Sequence, residues 1–424
     1  MHSETNAIGV KKKVYFKTFG CRTNVYDSQV MMSSLKDYEI TENEDEADAI
    51  VINSCTVTNG ADSHVRSYIS HVEKSNDAKI FLTGCGAHTK GESLLKENRV
   101  HGVFGQSEKQ KIDFMLSQDK PFYDPGDLNH IDDSIVDDFI GKSRAFIKIQ
   151  EGCNFRCSYC IIPFVRGDAR SMNETLILEQ ISRLALNGFG EFILTGTNVG
   201  SYGQGVGTSI ASLMKKISQI RGVRRIRLGS VEPIQITDEF KEIITEPWIE
   251  KHLHIALQHT SPAMLKLMNR RNVYKQDREL FEFFADKGFA IGTDFITGHP
   301  GESEELWKEA MINARELPLT HLHAFTYSKR DGTPSATMKP EVNGKVAKDR
   351  LHELQDLIDS KNLEFRKAYS GSLDVLIENE KDGLYHGLDQ HFNKIIVQST
   401  EDLVGNWINI QNYEVNKNSN YAKI

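Results

Sequence analysis

The chain reads Cys153-Asn154-Phe155-Arg156-Cys157-Ser158-Tyr159-Cys160, a C-x3-C-x2-C spacing placed directly after Glu151-Gly152. Residues 145–150, just before it, are rich in aromatic and β-branched side chains and are predicted as a β-strand. So short a loop can wrap three thiolates round one iron–sulfur cubane, whereas a ferredoxin cluster takes four cysteines. Three ligands leave one iron open, as substrate-binding metal chemistry requires. The alternatives are three buried thiols or a zinc knot. Zinc would need a fourth Cys or His, and the nearest histidine is His130.

The strand before these three loop cysteines (Cys153, Cys157 and Cys160) opens a series of strand–helix units over residues 143–340. Each unit takes roughly 30 residues, as a βαβ unit does. Six units predict an incomplete (β/α)6 barrel with its chemistry at the carboxyl ends of the strands. The predicted strands are residues 145–150, 191–195, 225–229, 253–257, 290–295 and 321–326.

The flanking regions predict two further domains. Residues 12–120 alternate strands with helices, which predicts a Rossmann-like domain with a parallel sheet. An acidic linker is predicted at 121–142 and a connecting helix at 341–370. Residues 371–424 contain short strands punctuated by glycine, which predicts a small all-β barrel.

Three more cysteines each follow a predicted strand of the N-terminal domain. Cys21, Cys55 and Cys85, the sheet-edge cysteines, recur at intervals of 34 and 30 residues. Carboxyl ends of parallel strands meet at one edge of a sheet, so these thiols are expected to converge on a second cluster with an open iron. Gly20 and Gly84 allow tight turns there. The alternative is three independent core cysteines.

Composition sets limits on function and location. Six cysteines are too few for a disulfide scaffold in a chain of 424 residues, and a net charge of −8 argues against non-specific coating of nucleic acid. No apolar run reaches the roughly 18 residues of a membrane span, and residues 1–10 lack a signal-peptide core. A cytoplasmic protein is expected. Three basic runs are interpreted as solvated surface: residues 11–13, Arg221 with Arg224, Arg225 and Arg227, and Lys266 with Arg270 and Arg271.

The loop spacing resembles the radical S-adenosylmethionine superfamily, and the three domains together resemble the methylthiotransferase family, with a TRAM-like C-terminal domain. Longer strings support the resemblance over residues 12–410, and two of them, residues 194–203 and 225–233, are most similar to the branch that modifies threonylcarbamoyladenosine in tRNA. The other supporting strings are residues 18–24, 53–58, 149–153 and 327–336.

The resemblance implies two 4Fe-4S clusters and S-adenosylmethionine as cofactors. It implies a radical made at the loop cysteines and a methylthio group supplied at the sheet-edge cysteines. The implied partners are the anticodon stem-loop of tRNA and an electron donor such as flavodoxin or ferredoxin. A monomer that binds no membrane is expected.

The resemblance and the strand-end positions together predict site residues. Polar groups at strand ends can hold the cofactor, and cations nearby can meet the substrate. Arg330 or Lys329 is expected to pair with the threonylcarbamoyl carboxylate or with tRNA phosphate, and Arg166 and Arg170 to meet phosphate or form ion pairs. His259 and His299 are interpreted as structural. The predicted cofactor contacts are Tyr159, Thr195, Gly196, Thr197, Ser230, Glu232, Gln258 and Gly298.

Other functions stay open at this point. The same family includes enzymes that modify isopentenyladenosine in tRNA or an aspartate of a ribosomal protein. An iron–sulfur RNA-binding redox sensor is a non-catalytic alternative, and a second cluster that only relays electrons is another. One feature departs from the family. Residues 371–424 hold eight acidic residues against four lysines, a poor match to phosphate.

Overall fold

The computed structural model describes residues 11–139 and 141–424. The N-terminal ten residues, which the signal-peptide prediction concerned, lie outside this part. The chain divides into two compact units, each described separately below. The N-terminal unit runs to Val136 and also contains Phe164–Gly167. The C-terminal unit contains Asp137–Pro163 and Asp168–Ile424.

The N-terminal unit is built on a six-stranded parallel sheet with strand order β2-β1-β3-β4-β5-β6. Successive residues of β3 and β4 pack into apolar clusters on opposite faces, Ile50, Ile52 and Leu82 on one and Val51 and Phe81 on the other. The predicted parallel-sheet fold is confirmed. Its elements are β1 Lys12–Thr18, α1 Arg22–Ser34, β2 Tyr38–Ile40, β3 Ala49–Ser54, α2 Asn59–Ser75, β4 Lys79–Gly84, α3 Gly91–Lys96, β5 Gly102–Phe104, α4 Ile112–Leu116 and β6 Phe122–Asp124.

The stretch predicted as an acidic linker is largely part of this unit. Strand β6 pairs with β5, and Phe122 packs its ring 6.3 Å from that of Phe81. Asp132 is 2% exposed and forms an ion pair with the buried Lys109. Acidic composition predicted a solvated segment, but the Asp132 carboxylate is buried and accepts a hydrogen bond from the Lys109 ammonium.

The C-terminal unit begins with the six predicted parallel strands, β7 and β9 to β13. They lie in two sheets, β10-β9-β7-β8 and β11-β12-β13, joined by a bridge between Val231 and Ile255, and the short β8 is an added strand that pairs antiparallel with β7. The elements are β7 Ala145–Glu151, β8 Arg170–Ser171, α6 Glu174–Leu186, β9 Glu191–Gly196, α7 Ile210–Ser218, β10 Arg225–Leu228, α8 Asp238–Ile243, β11 His252–His254, α9 Pro262–Leu267, α10 Tyr274–Asp286, β12 Ala290–Thr297, α11 Glu304–Glu316 and β13 His321–Thr326. The short helix α5, Ile162–Arg166, begins in this unit, and its residues from Phe164 onward belong to the N-terminal unit.

A long helix, α12 (Gly344–Ala368), leads to a curled sheet in the order β17-β14-β15-β16-β19-β18. Only the β16–β19 pair is parallel among these strands of the described chain. The apolar side of the sheet packs around Val375, Ile377, Ile395 and Val397, which confirms the predicted small β domain. Its strands are β14 Leu373–Lys381, β15 Leu384–Leu388, β16 Lys394–Gln398, β17 Trp407–Ile410, β18 Glu414–Val415 and β19 Asn420–Lys423. In the described residues, no helix is long and apolar enough to cross a bilayer.

Candidate active site

The sheet-edge cysteines converge in the N-terminal unit. Cys21 precedes α1, and Cys55 and Cys85 directly follow β3 and β4, whose ends are in register. Burial, followed by the neighbouring Cys85 and Cys21 thiols, raises the pKa of Cys55 to about 12. The three cysteines thus share one edge of the sheet, which fits the prediction of an iron–sulfur cluster held by three thiolates.

Two glycines permit this close approach. Gly20 has φ +98°, and a Cβ there would lie 2.5 Å from the Cβ of Cys55. Gly84 has φ +84°, and a Cβ there would lie 2.4 Å from the carbonyl oxygen of Ser54. Any other residue at either position would push apart the loops that carry the thiols.

Arg166 lies at the sheet-edge cysteines. Its Nε donates to Cys85 Sγ at 3.2 Å and its Nη1 to Asp27 Oδ2 at 2.9 Å. The residue is 2% exposed. A buried guanidinium with these partners fits the ion-pair alternative for Arg166, and the burial argues against the phosphate contact.

The loop cysteines of the C-terminal unit are surrounded by hydrogen-bond donors. The backbone N–H of Phe155 and the side-chain amide of Asn198 each donate to Cys153 Sγ at 3.5 Å. Nη1 of Arg270 donates to Cys157 Sγ at 3.7 Å. Donors directed at sulfur stabilise thiolates and suit cluster ligands.

Arg270 was missed as a site residue because its basic run was interpreted as solvated surface. Its side chain is 1% exposed and forms a forked ion pair with Glu232, with Nη1 at 2.8 Å from Oε1. Its neighbour Arg271 is exposed and lies over the ring of Phe155 at 4.5 Å. No local signal separates the two arginines, because the burial of Arg270 depends on partners distant in the chain, Glu232 and Cys157.

Two of the four arginines in the second basic run are also not on the solvated surface. Arg225 and Arg227 are 3% and 2% exposed, so that interpretation was wrong for both. They share the buried carboxylate of Glu191, at 3.2 and 2.5 Å. Arg225 also pairs with Asp374 of β14 at 2.7 Å, which ties the barrel to the β domain within this unit.

Apart from Tyr159 in the cysteine loop, the predicted cofactor contacts lie at or shortly after strand ends, and their roles stay predictions. Thr197 Oγ1 accepts a hydrogen bond from the N–H of Gly152 at 3.2 Å, next to the loop cysteines. Gln258 has φ +68° and bridges to Phe295 of β12. The N–H of Gly298 donates to Glu302 Oε2 at 2.5 Å, so that amide already has an acceptor.

The remaining members of the set differ in exposure. Thr195 is 4% exposed, whereas the exposure of its neighbour Gly196 is intermediate. Tyr159 packs against the apolar cluster around Met264 and Met268. The hydroxyl of Ser230 donates to Asp294 at 3.0 Å.

Asp294 belongs to a polar group that the sequence did not predict. Its Oδ1 lies 3.1 Å from His254 Nε2 and 3.8 Å from His323 Nδ1, and the three residues come from neighbouring strands. The next residue, Phe295, packs against Trp307 of α11, so Asp294 faces away from the outer helices. The group lines the inner face of the strands.

The predicted substrate cations differ in exposure. Lys329 is exposed, whereas Arg330 is 7% exposed. Arg170 pairs with Glu151 at 3.3 Å, with its side chain 14% exposed. Their roles toward a substrate stay predictions.

Comparisons with known proteins match both units. The uncharacterized protein family UPF0004 matches residues 13–105, and the radical SAM superfamily matches residues 147–312. A Helicobacter pylori (strain J99) protein, provisionally named as a methylthiotransferase, is 52% identical over 97% of this chain and 99% of its own length. The threonylcarbamoyladenosine tRNA methylthiotransferase MtaB of Bacillus subtilis is 33% identical over 94% of this chain and 93% of its own. Other relatives, 30–33% identical, are named tRNA-2-methylthio-N(6)-dimethylallyladenosine synthases.

A solved structure shares the fold. The radical S-adenosylmethionine methyltransferase TsrM of Kitasatospora setae, with cobalamin and a 4Fe-4S cluster bound, matches with a TM-score of 0.60 over 77% of each chain. The sequences are 14% identical, so the likeness concerns the fold alone.

Proposed function

The chain belongs to the radical S-adenosylmethionine methylthiotransferase family, and we propose that it acts on threonylcarbamoyladenosine beside the anticodon of tRNA. It is an enzyme that uses S-adenosylmethionine and 4Fe-4S clusters. That assignment removes the redox-sensor alternative, because the relatives are named for a transfer reaction. The substrate branch, the ligand assignments and the partners are the proposal.

The observation that carries the proposed chemistry and ligand assignments is the pair of three-cysteine sets. The loop cysteines would hold one cluster and the sheet-edge cysteines the other, and the chain's six cysteines leave no fourth thiolate for either. When bound, the cluster at the loop cysteines and S-adenosylmethionine would supply a radical that activates a C–H bond. The cluster at the sheet-edge cysteines would supply a methylated sulfur that replaces the hydrogen. The protein holds the sulfur ligands with directed donors, Asn198 and Arg270 at one set and Arg166 at the other.

The residues around the loop would orient the cofactor. Glu232 and Arg270 form a paired cation and carboxylate beside Cys157, which suits the amino and carboxylate groups of S-adenosylmethionine. Thr197, bonded to Gly152, would present its hydroxyl at the same strand end. Binding at strand ends keeps the reacting groups together and excludes water.

The substrate proposal depends on the strings at residues 194–203 and 225–233 and on the relatives named for threonylcarbamoyladenosine. Relatives named for the dimethylallyl substrate match about as well, so a direct assay has to decide. The proposed reader of the threonyl carboxylate is Arg330. Its burial suits one specific partner better than a mobile phosphate, whereas the exposed Lys329 suits phosphate.

Mass spectrometry of tRNA nucleosides from a deletion strain tests the substrate. The 2-methylthio derivative of threonylcarbamoyladenosine should disappear and return on complementation. Loss of the isopentenyl derivative instead would assign the other tRNA branch, and loss of neither would point to the ribosomal-protein aspartate.

Two variants separate the roles of the cations. Arg330→Ala should raise KM for tRNA that carries the threonylcarbamoyl group while leaving affinity for unmodified tRNA unchanged. Lys329→Ala should weaken the binding of both tRNAs and reduce the slope of log K against log salt concentration by roughly one. If Arg330→Ala lost the same affinity for both tRNAs, Arg330 would be a phosphate contact.

The partners follow from the same proposal. The substrate is a tRNA anticodon stem-loop, a flavodoxin or ferredoxin delivers the electrons, and the enzyme works as a monomer in the cytoplasm. Size-exclusion chromatography with light scattering tests the monomer. Reduction of the purified protein by each electron donor tests the donor.

A further inference from the structure

Arg166 comes from a segment that follows the loop cysteines but packs within the N-terminal unit. It lies six residues after Cys160 and belongs to the segment Phe164–Gly167. In that unit its guanidinium contacts the sheet-edge site through Cys85. Arg166 therefore calls for an explanation other than tRNA binding.

The guanidinium is held on three sides. Nε donates to Cys85 Sγ at 3.2 Å, Nη1 to Asp27 Oδ2 at 2.9 Å, and Nη2 to Asn24 Oδ1 at 2.5 Å. Asp27 is fully buried and also pairs with Lys109 at 3.5 Å. Because Asp27 and Asn24 fix the two Nη groups, the Nε–H of the planar guanidinium is directed at the sulfur, which the flexible point charge of a lysine cannot reproduce.

Asn24, which accepts a hydrogen bond from Arg166, also contacts the loops of the other two sheet-edge cysteines. The side-chain amide of Asn24 donates to the carbonyl of Phe19 at 2.7 Å and to that of Ser54 at 3.0 Å. These carbonyls lie two residues before Cys21 and one residue before Cys55. Arg166 is therefore linked through Asn24 to the loops of Cys21 and Cys55, and it contacts Cys85 directly.

A donor directed at a ligand sulfur has a known electrostatic effect. Hydrogen bonds to cluster sulfurs and nearby positive charge stabilise the reduced cluster, and burial strengthens both effects. A charge-assisted hydrogen bond in a dry site has the energy to change a reduction equilibrium constant about tenfold.

We propose that Arg166 is a positioning residue of the sheet-edge site, which fixes Cys85 and raises the reduction potential of the cluster held there. The inference depends on the proposed assignment of Cys21, Cys55 and Cys85 as cluster ligands. It concerns the environment of that cluster and is independent of which nucleoside the enzyme modifies.

The test uses the full chain with the loop cysteines replaced by Ala, so that only the sheet-edge cluster contributes a signal. Redox titration monitored by electron paramagnetic resonance is run on this background and with Arg166→Gln or Arg166→Lys added. Arg166→Gln should lower the reduction equilibrium constant about tenfold, which is 59 mV for one electron, and Arg166→Lys should give a smaller shift of the same sign. Arg99→Gln, which removes an arginine paired with Glu73 elsewhere in the unit, should give no shift.

Each outcome is decisive. Absence of iron from the background itself would reject the ligand assignment, whereas iron bound at an unshifted potential in both Arg166 variants would reject the role of Arg166. If both variants lose iron while the cluster-free chain unfolds at the same temperature as the background, Arg166 holds the ligand set as proposed. A lower unfolding temperature together with lost iron would make the residue structural and overturn the proposal.

Discussion

Replacing Glu191 with Gln should destabilise the C-terminal unit more than replacing any surface carboxylate. Glu191 is fully buried, and its carboxylate faces three guanidiniums, those of Arg144 at 3.3 Å, Arg225 at 3.2 Å and Arg227 at 2.5 Å. Burial alone would raise the pKa of this carboxyl, but the arginines outweigh it and hold the pKa below its ordinary value. Glu191→Gln keeps the shape and removes the charge.

The expected loss of stability follows from the buried arginine charges that remain when the Glu191 carboxylate is removed. Removing one partner of a buried ion pair typically costs about 3–5 kcal/mol, because the other charge stays desolvated without compensation. With a urea m-value of about 3 kcal/mol/M, the unfolding midpoint should fall by about 1 M or more. Glu250 also contacts Arg225 and Arg227, so the loss should lie toward the lower end of that range.

Intrinsic tryptophan fluorescence is a direct assay for this unit. All three tryptophans, Trp248, Trp307 and Trp407, belong to it, and Trp407 stacks against the Arg225 guanidinium at 4.6 Å. Glu174→Gln is the matched control, because Glu174 pairs with the half-exposed Lys216 on the surface and should change stability by less than about 1 kcal/mol. Equal midpoints for the two variants would refute the account of the buried network.

Three further predictions concern the cysteine sites. Anaerobically reconstituted wild-type protein should hold about eight irons, and replacing the loop cysteines with Ala should leave about half, measured as iron per chain; unchanged iron would contradict the loop assignment. Replacing the sheet-edge cysteines with Ala should spare reductive cleavage of S-adenosylmethionine, detected as 5′-deoxyadenosine, and abolish the methylthio product, while retained product would reject the two-site scheme. Gly20→Ala should deplete only the sheet-edge cluster, because its Cβ would collide with Cys55, and Gly188→Ala, at an open positive-φ turn, should keep full iron.

The sequence predicted the features that depend on local pattern. Strand–helix alternation predicted the parallel strands of both units, and the strand-end positions of Cys21, Cys55 and Cys85 predicted that they share one sheet edge. The buried ion pairs depend on partners distant in the chain and leave no local signal. Arg166 and Asp27 are 139 residues apart, and Arg225 and Asp374 are 149 apart.

The acidic composition of the β domain has a different meaning once these partners are known. Asp374 pairs with Arg224 and Arg225, and Glu378 with Arg144, so part of the acidic excess is neutralised by the barrel within the same unit. Because Arg144, Arg224 and Arg225 pair with these carboxylates, they are less available to bind phosphate than the amino-acid composition alone would suggest. Under the proposed function, the exposed Lys329 and Arg271 are candidates for contacts with tRNA, because both lie outside this network. The net charge of either domain alone is a poor guide to that affinity.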